Sequence, residues 1–425
     1  MKKGISNTLF NPSLFVALTV GGMAASMPVA YAADTLVEAL STGKVSGQLR
    51  YRYEWVDDAT KTEQAGASTL RTRLGYMTGD YLNLAGFIQL QDVRVVGSEH
   101  YNSTVNGRTQ YPTVADPESA QVQQAFLSYK GLPDTVFKYG RQGINLDNQR
   151  FIGTVEWRQN AQAFDAFTVT NNSLPDTTIF YGHVMNVRRI FGENSPQRDL
   201  NMSSELLNIA YKGFAPVSIV GYGYFLDYDK VQTISNTLSN KTLGLRFDGG
   251  YKPESMGVKF LYTAEYAKQS KYAGGASTVD GDYTNLMAGV DVSDVQVKLG
   301  HEVLSGNGTY GFATPLATLH AFNGWADKFL ATPNDGIKDT FLSAGTILGG
   351  VNLTAVYRKY SSDNLGYDYG SEWNLQAAKK INKSLVLTAK YAAYSADANA
   401  TNVARNTSTL AKDIDKFWLM ADVQF

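Results

Sequence analysis

A two-residue alternation of apolar and polar side chains recurs about eighteen times along this chain, and it constrains the fold more than any single motif does. Successive side chains on a strand point to opposite faces, so this period specifies strands and not helices. The plainest segment is TLGLRFDGGY at 242–251, where Leu243, Leu245, Phe247, Gly249 and Tyr251 oppose Thr242, Gly244, Arg246, Asp248 and Gly250. GQLRYRYEW at 47–55 alternates in the same way, with Tyr51, Tyr53 and Trp55 opposite Arg50, Arg52 and Glu54. Clear segments also cover 68–77, 82–91, 258–267, 295–304, 351–360 and 417–425. Weaker ones cover 120–129, 135–142, 161–170, 177–186, 204–212, 217–226, 283–292, 340–347, 371–379 and 384–394.

The connections carry as much information as the segments. Every second one is long: 56–67, 92–119, 143–160, 187–203, 227–241, 268–282, 305–339, 361–370 and 395–416. Those between are short turns such as TGDY at 78, GLPD at 131 and LGG at 348. A transmembrane antiparallel up-and-down β-barrel of about 18 strands has this rhythm, with short periplasmic turns and long extracellular loops. An even strand count brings both chain ends to the same side.

The N-terminus agrees with export. Residues 1–32 carry Lys2 and Lys3, the apolar run SLFVALTVGGMAAS and a small-residue AYA at 30–32, the pattern of a signal peptide, which leaves 33–425 as one barrel domain. Beyond that leader no run approaches 18 apolar residues, so helical membrane spans are excluded. An exported chain without such a span can enter lipid only as a closed barrel, because an open sheet edge finds no hydrogen-bond partner there. The chain ends KFWLMADVQF, with an aromatic at Phe425 closing the alternating face of Phe417, Leu419, Ala421 and Val423. That ending is expected to engage the outer-membrane assembly machinery.

Several function classes drop out. With no cysteine, disulfides, thiolate metal sites and cysteine nucleophiles are excluded. A net charge of −1 gives no global attraction to nucleic acid. His100, His183, His301 and His320 are scattered without metal-ligand spacing, and no phosphate-cradling loop or catalytic dyad stands out, so no enzyme, metal or cofactor is expected.

The arginines are the candidate functional groups. Of 15, 12 fall between Arg50 and Arg198. Alternation puts Arg50, Arg52, Arg71 and Arg73 on the lumen side of the first two strands. The guanidinium is a permanently charged planar fork matched to carboxylate, phosphate or sulfate. Lys138, Arg141, Arg150 and Arg158 cluster in and before the third long connection, which is expected to fold inward and narrow the pore. A second connection contains HAFNGWADKFL at 320–330, whose helical spacing predicts a short helix at the mouth; Trp325, Asp327 and Lys328 are its candidate gating residues.

Two stretches carry a family resemblance: GRQGINLDNQRFIGTVEWRQNAQAFDAFTV at 140–169 and TPLATLHAFNGWADKFLATP at 314–333. They resemble the alginate export porins of Gram-negative outer membranes, and the likeness extends over nearly the whole mature chain. It implies an 18-stranded barrel passing a uronate polysaccharide through an arginine-rich lumen, with Arg141, Arg150, Arg158 and Asp165 at charged positions of the pattern. The partners then expected are outer-membrane lipid and lipopolysaccharide, an anionic polysaccharide or its oligosaccharides, and periplasmic export components. A low-selectivity uptake porin for small solutes and an adhesive barrel are the alternative readings.

Overall fold

The computed structural model describes residues 33–229, 236–397, 400 and 408–425; the expected leader at 1–32 and Arg405 lie outside them. In chain order the strands are β1 (Lys44–Asp58), β2 (Ala65–Met77), β3 (Leu84–His100), β4 (Ser119–Leu132), β5 (Thr135–Gln142), β6 (Ala163–Asn171), β7 (Thr177–Arg188), β8 (Asp199–Phe214) and β9 (Val217–Leu226). They continue as β10 (Asn240–Tyr251), β11 (Val258–Lys271), β12 (Asp280–Val292), β13 (Val295–Leu304), β14 (Ile337–Leu348), β15 (Val351–Ser361), β16 (Asp368–Lys380), β17 (Leu385–Ala396) and β18 (Ile414–Gln424). Each pairs antiparallel with its neighbours in sequence, and β18 pairs with β1, so the 18-stranded sheet closes on itself. At the seam, Gly47 and Phe425 exchange backbone hydrogen bonds of 2.7 and 3.1 Å.

Every alternating segment of the sequence is a strand. Several run further than their apolar pattern, β3 reaching His100 and β1 and β2 leaving only 59–64 between them. Ladder hydrogen bonds do not depend on side-chain polarity, so pairing continues past the apolar zone and consumes part of the expected loops. The connections at 59–64 and 362–367 are therefore as tight as the turns of the opposite rim, while 101–118, 143–162 and 305–336 remain long.

The two faces separate by chemistry. Leu243, Leu245, Phe247 and Tyr251 of β10 are exposed on the outside, as is Tyr51 of β1, whereas Arg50, Arg52 and Glu54 are fully buried. An apolar exterior with a charged interior is the reverse of a soluble fold and is what lipid requires. The interior is filled by two of the long connections, 143–162 and 305–336, which fold inward. Ile152, Trp157, Gln159, Asn160, Leu316, Ala326 and Phe329 from these segments are buried nearly completely.

Candidate functional site

The segment 143–162 keeps its shape through local polar contacts. Asn145 accepts from the Thr154 amide (2.8 Å) and hydroxyl (3.0 Å), and the Leu146 amide donates to Ile152 at 3.1 Å. Asp147 and Gln149 adopt left-handed backbone (φ 51° and 64°), which turns the chain back on itself. The second segment joins it directly. The Gly153 amide donates to Leu316 and the Thr318 amide to Gln149, at 2.9 and 3.0 Å. Thr318 Oγ1 also donates to Gln149 Oε1 at 2.7 Å. The two inward segments are thus one body spanning the lumen.

On one wall that body meets the arginines of β1 and β2. Arg50 donates to the carbonyls of Glu156 (2.8 Å) and Arg158 (2.6 Å) and to Gln159 Oε1 (3.0 Å). Arg73 Nη1 holds both oxygens of the Glu156 carboxylate, at 3.1 and 2.9 Å, and Arg71 Nη1 reaches Oε2 at 3.2 Å. Burial raises the Glu156 pKa, but Arg73, Arg71 and Arg50 outweigh it and bring the carboxyl down to about 2. Arg52 pairs with Asp116, donates to the Trp157 carbonyl and lies 3.3 Å from Glu54.

Arg158 is the central strut. It contacts Glu54 at 3.1 Å on β1 and Asp327 at 3.1 Å in the second inward segment, with Asp116 at 3.6 Å. Asp327 also receives Lys416 of β18 at 2.8 Å and His320 at 2.7 Å. Burial disfavours the Asp327 charge, yet Lys416, His320 and Arg158 hold its carboxyl well below the usual range. His320 stacks on Trp157, with ring centroids 3.9 Å apart and planes 2° from parallel, and its Nε2 lies 2.9 Å from Lys390 Nζ. Burial, then the Lys390 charge, pushes its pKa well below the ordinary value, against the pull of Asp327. A neutral ring fits both contacts: Nε2 accepts from the ammonium and Nδ1–H donates to Asp327.

The opposite wall holds the body by the same means. Arg150 pairs with Glu302 of β13 at 2.9 Å and donates to Asn323 at 2.9 Å, while Asn323 donates to Glu302 at 2.6 Å. Phe151 packs among Tyr222, Tyr224, Tyr283 and Phe312, at centroid distances of 5.2 to 6.1 Å. The predicted helix over 320–330 is absent; only Leu319–Ala321 forms a single 3-10 turn. Asn323, Gly324 and Asp327 take positive φ (51°, 94° and 60°), which no right-handed helix allows. The amides of Trp325 and Ala326 instead donate to Asn374 (2.8 Å) and Glu372 (2.9 Å) of β16. A side chain at Gly324 would meet Glu372 and Tyr360 at 2.2 and 2.3 Å, so glycine is required there.

Arg50, Arg52, Arg71, Arg73, Arg158 and Asp327 therefore belong to one connected charge system, while Arg150 belongs to the separate Glu302–Asn323 cluster of the opposite wall; Trp325 lies beside the first, its ring 3.9 Å from Lys390 Nζ. Lys328 lies apart over the Tyr394 ring (5.5 Å). Lys138 lines a separate lumen cavity of about 300 Å³ with Gln142, Asn145, Asp147, Thr168 and Asn208. Arg141 and Asp165 correct the sequence reading. They face each other across β5 and β6 on the side that carries exposed Tyr139, bonded at 2.8 and 3.1 Å, whereas Gln142 and buried Phe164 take the inward side. Proximity in sequence to Arg150 and Arg158 hid the one-residue alternation that turns Arg141 outward.

Sequence reasoning passed over Asp116, Glu302, Glu372, Lys390 and Lys416. The strand members among them occupy inward positions of their alternating patterns, and that register was the signal available; Asp116 sits in a connection and offered none.

A closed barrel with an apolar exterior, a charged lumen and loops folded into it is an outer-membrane porin-like protein. The alginate export family profile matches residues 42–299, and the chain belongs to that family. Solved barrels share its fold. Acinetobacter baumannii OccAB2 superposes with a TM-score of 0.71 at 11% identity, covering 91% of this chain and 99% of that one. OccAB1 of the same organism gives 0.70 at 12% (93% and 99%) and Pseudomonas aeruginosa OccK5 (OpdH) 0.66 at 12% (91% and 99%). No curated protein matches the sequence.

Proposed function

We propose that this protein, exported by its 1–32 leader and inserted as a single 33–425 barrel, is a passive outer-membrane porin for an anionic, alginate-like uronate polysaccharide or its oligosaccharides. The long connections face the exterior and the short turns the periplasm. The observation that carries the reading is the wall of Arg50, Arg71 and Arg73 around the carboxylate of Glu156, with Asp422 opposite Arg50 on β18. Three fixed cations against these two carboxylates leave a positive surplus beside the lumen, and forks of this kind bind uronate carboxylates in bidentate fashion. Lys138, in its cavity of Thr, Asn and Gln side chains, adds a second polar contact for a saccharide. Weak serial contacts let a polyanion enter and leave.

Lumen carboxylates such as Glu302, Asp339 and Glu372 favour the second reading, a small-solute porin of low selectivity. Liposome swelling separates the two. Purified barrel in liposomes should admit trimannuronate faster than neutral maltotriose of similar size. Equal rates for both would favour the low-selectivity porin and reject the anionic one.

A further inference from the structure

Glu156 occupies the arginine wall as a substrate carboxylate would. We infer that it is a tethered surrogate ligand: a uronate polymer entering the lumen displaces it from Arg71 and Arg73, and that displacement releases the 143–162 segment. The inference rests on the anionic-porin reading above and adds a gating step to it.

The geometry supports a contact that is held and yet exchangeable. The Glu156 side chain is 15% exposed, the most open member of its cluster, whereas Arg71 and Arg73 are 0% and 8% exposed. The arginines are fixed in strands; the glutamate is on a connection. Among the described residues, Arg71 Nε and Arg73 Nη2 have no hydrogen-bond partner, so two buried donors remain for a further oxygen. An incoming carboxylate can use donors that Glu156 leaves unpaired, and buried unpaired donors favour the ligand that satisfies them.

Competition with a tethered group sets a length requirement. Glu156 is part of the chain and held in place by the docked body, so it competes at an effective concentration at least that of a short flexible tether, which is about millimolar. A free monouronate in dilute solution stays below that. A polymer threaded into the lumen carries a run of carboxylates and matches it. Release follows because Glu156 neighbours Trp157 and Arg158, whose carbonyls and guanidinium hold the contacts to Arg50, Arg52, Glu54 and Asp327. Drawing residue 156 away breaks the register of those neighbours.

The native chain contains no cysteine, so one introduced thiol is a clean reporter. Val155, half-buried beside Glu156 with φ 52°, is the position of choice; Cys there lacks the β-branch that strains this backbone. The full-length Val155→Cys barrel in liposomes is labelled with a charged thiol reagent. Trimannuronate should raise the labelling rate at least severalfold, mannuronate monomer and maltotriose should not, and Glu156→Gln in the same background should label fast without added sugar. A labelling rate that trimannuronate leaves unchanged or lowers overturns the inference, and the Val155→Cys arm alone decides it if the double variant does not fold. Trimannuronate uptake in the swelling assay, read on the same liposomes, stays positive if only the gating step is wrong.

Discussion

Replacing Arg158 with Met removes the strut between the inward segments and the barrel wall while keeping most of its volume. The guanidinium sits 3.1 Å from both Glu54 and Asp327, and the substitution leaves those buried carboxylates in place. Removing one partner of a buried pair costs about 3 to 5 kcal/mol. Here the lower figure applies, because Glu54 keeps Arg52 and Asp327 keeps Lys416 and His320. At 1.36 kcal/mol per factor of ten, about 3 kcal/mol shifts the docking equilibrium of the segments by roughly 150-fold. The barrel ladders do not involve Arg158, so the β-sheet circular dichroism and its melting should be preserved. Single-channel recording in planar bilayers should show the variant mostly in a high-conductance level that wild type visits rarely. Unchanged dwell times would refute the strut argument, and so would a barrel that loses its sheet signal with the substitution.

Acid should weaken docking in two stages. The docked His320 pKa lies below its ordinary value near 6.5, so the released state binds the proton first and docking loses about 1.4 kcal/mol for each pH unit below about 6.5. His320→Gln should abolish that stage, measured as closed-level dwell times between pH 7.5 and 5.5. Glu156 acts lower: its docked pKa of about 2 lies beneath the ordinary 4.5, so its contribution is complete above 4.5 and disappears as pH falls toward 2. Tryptophan fluorescence, which includes Trp157, should report this second stage, and Glu156→Gln should remove it. Phe151→Ala empties an aromatic cluster and should weaken docking by about 3 to 5 kcal/mol, again with the barrel intact. Arg141→Ala breaks an outward pair about a quarter exposed and should cost less than about 1 kcal/mol in denaturant titration, with unchanged ion selectivity. Gly47→Val puts a side chain 2.3 Å from the Phe425 ring and should reduce the yield of closed barrel.

The barrel was legible because its period is local: the alternation of Tyr51, Tyr53 and Trp55 with Arg50, Arg52 and Glu54 needs no distant partner to be read. The same alternation located the arginine wall. What it left out is set by contacts between residues far apart in sequence. Arg158 meets Asp327 and Trp157 stacks on His320, and no spacing rule links either pair. The helix expected around Trp325 failed for a related reason, since its amides find side-chain acceptors on β16 that outcompete local hydrogen bonding. Arg141 shows the cost of reading proximity where register decides.

A positive surplus on the β1–β2 wall predicts that the channel selects anions. The reversal potential of the wild-type channel under a potassium chloride gradient tests it most directly. Anion selectivity is the expected result, diminished when Arg71 and Arg73 are both replaced by Gln. Cation selectivity in the wild type would contradict the claim.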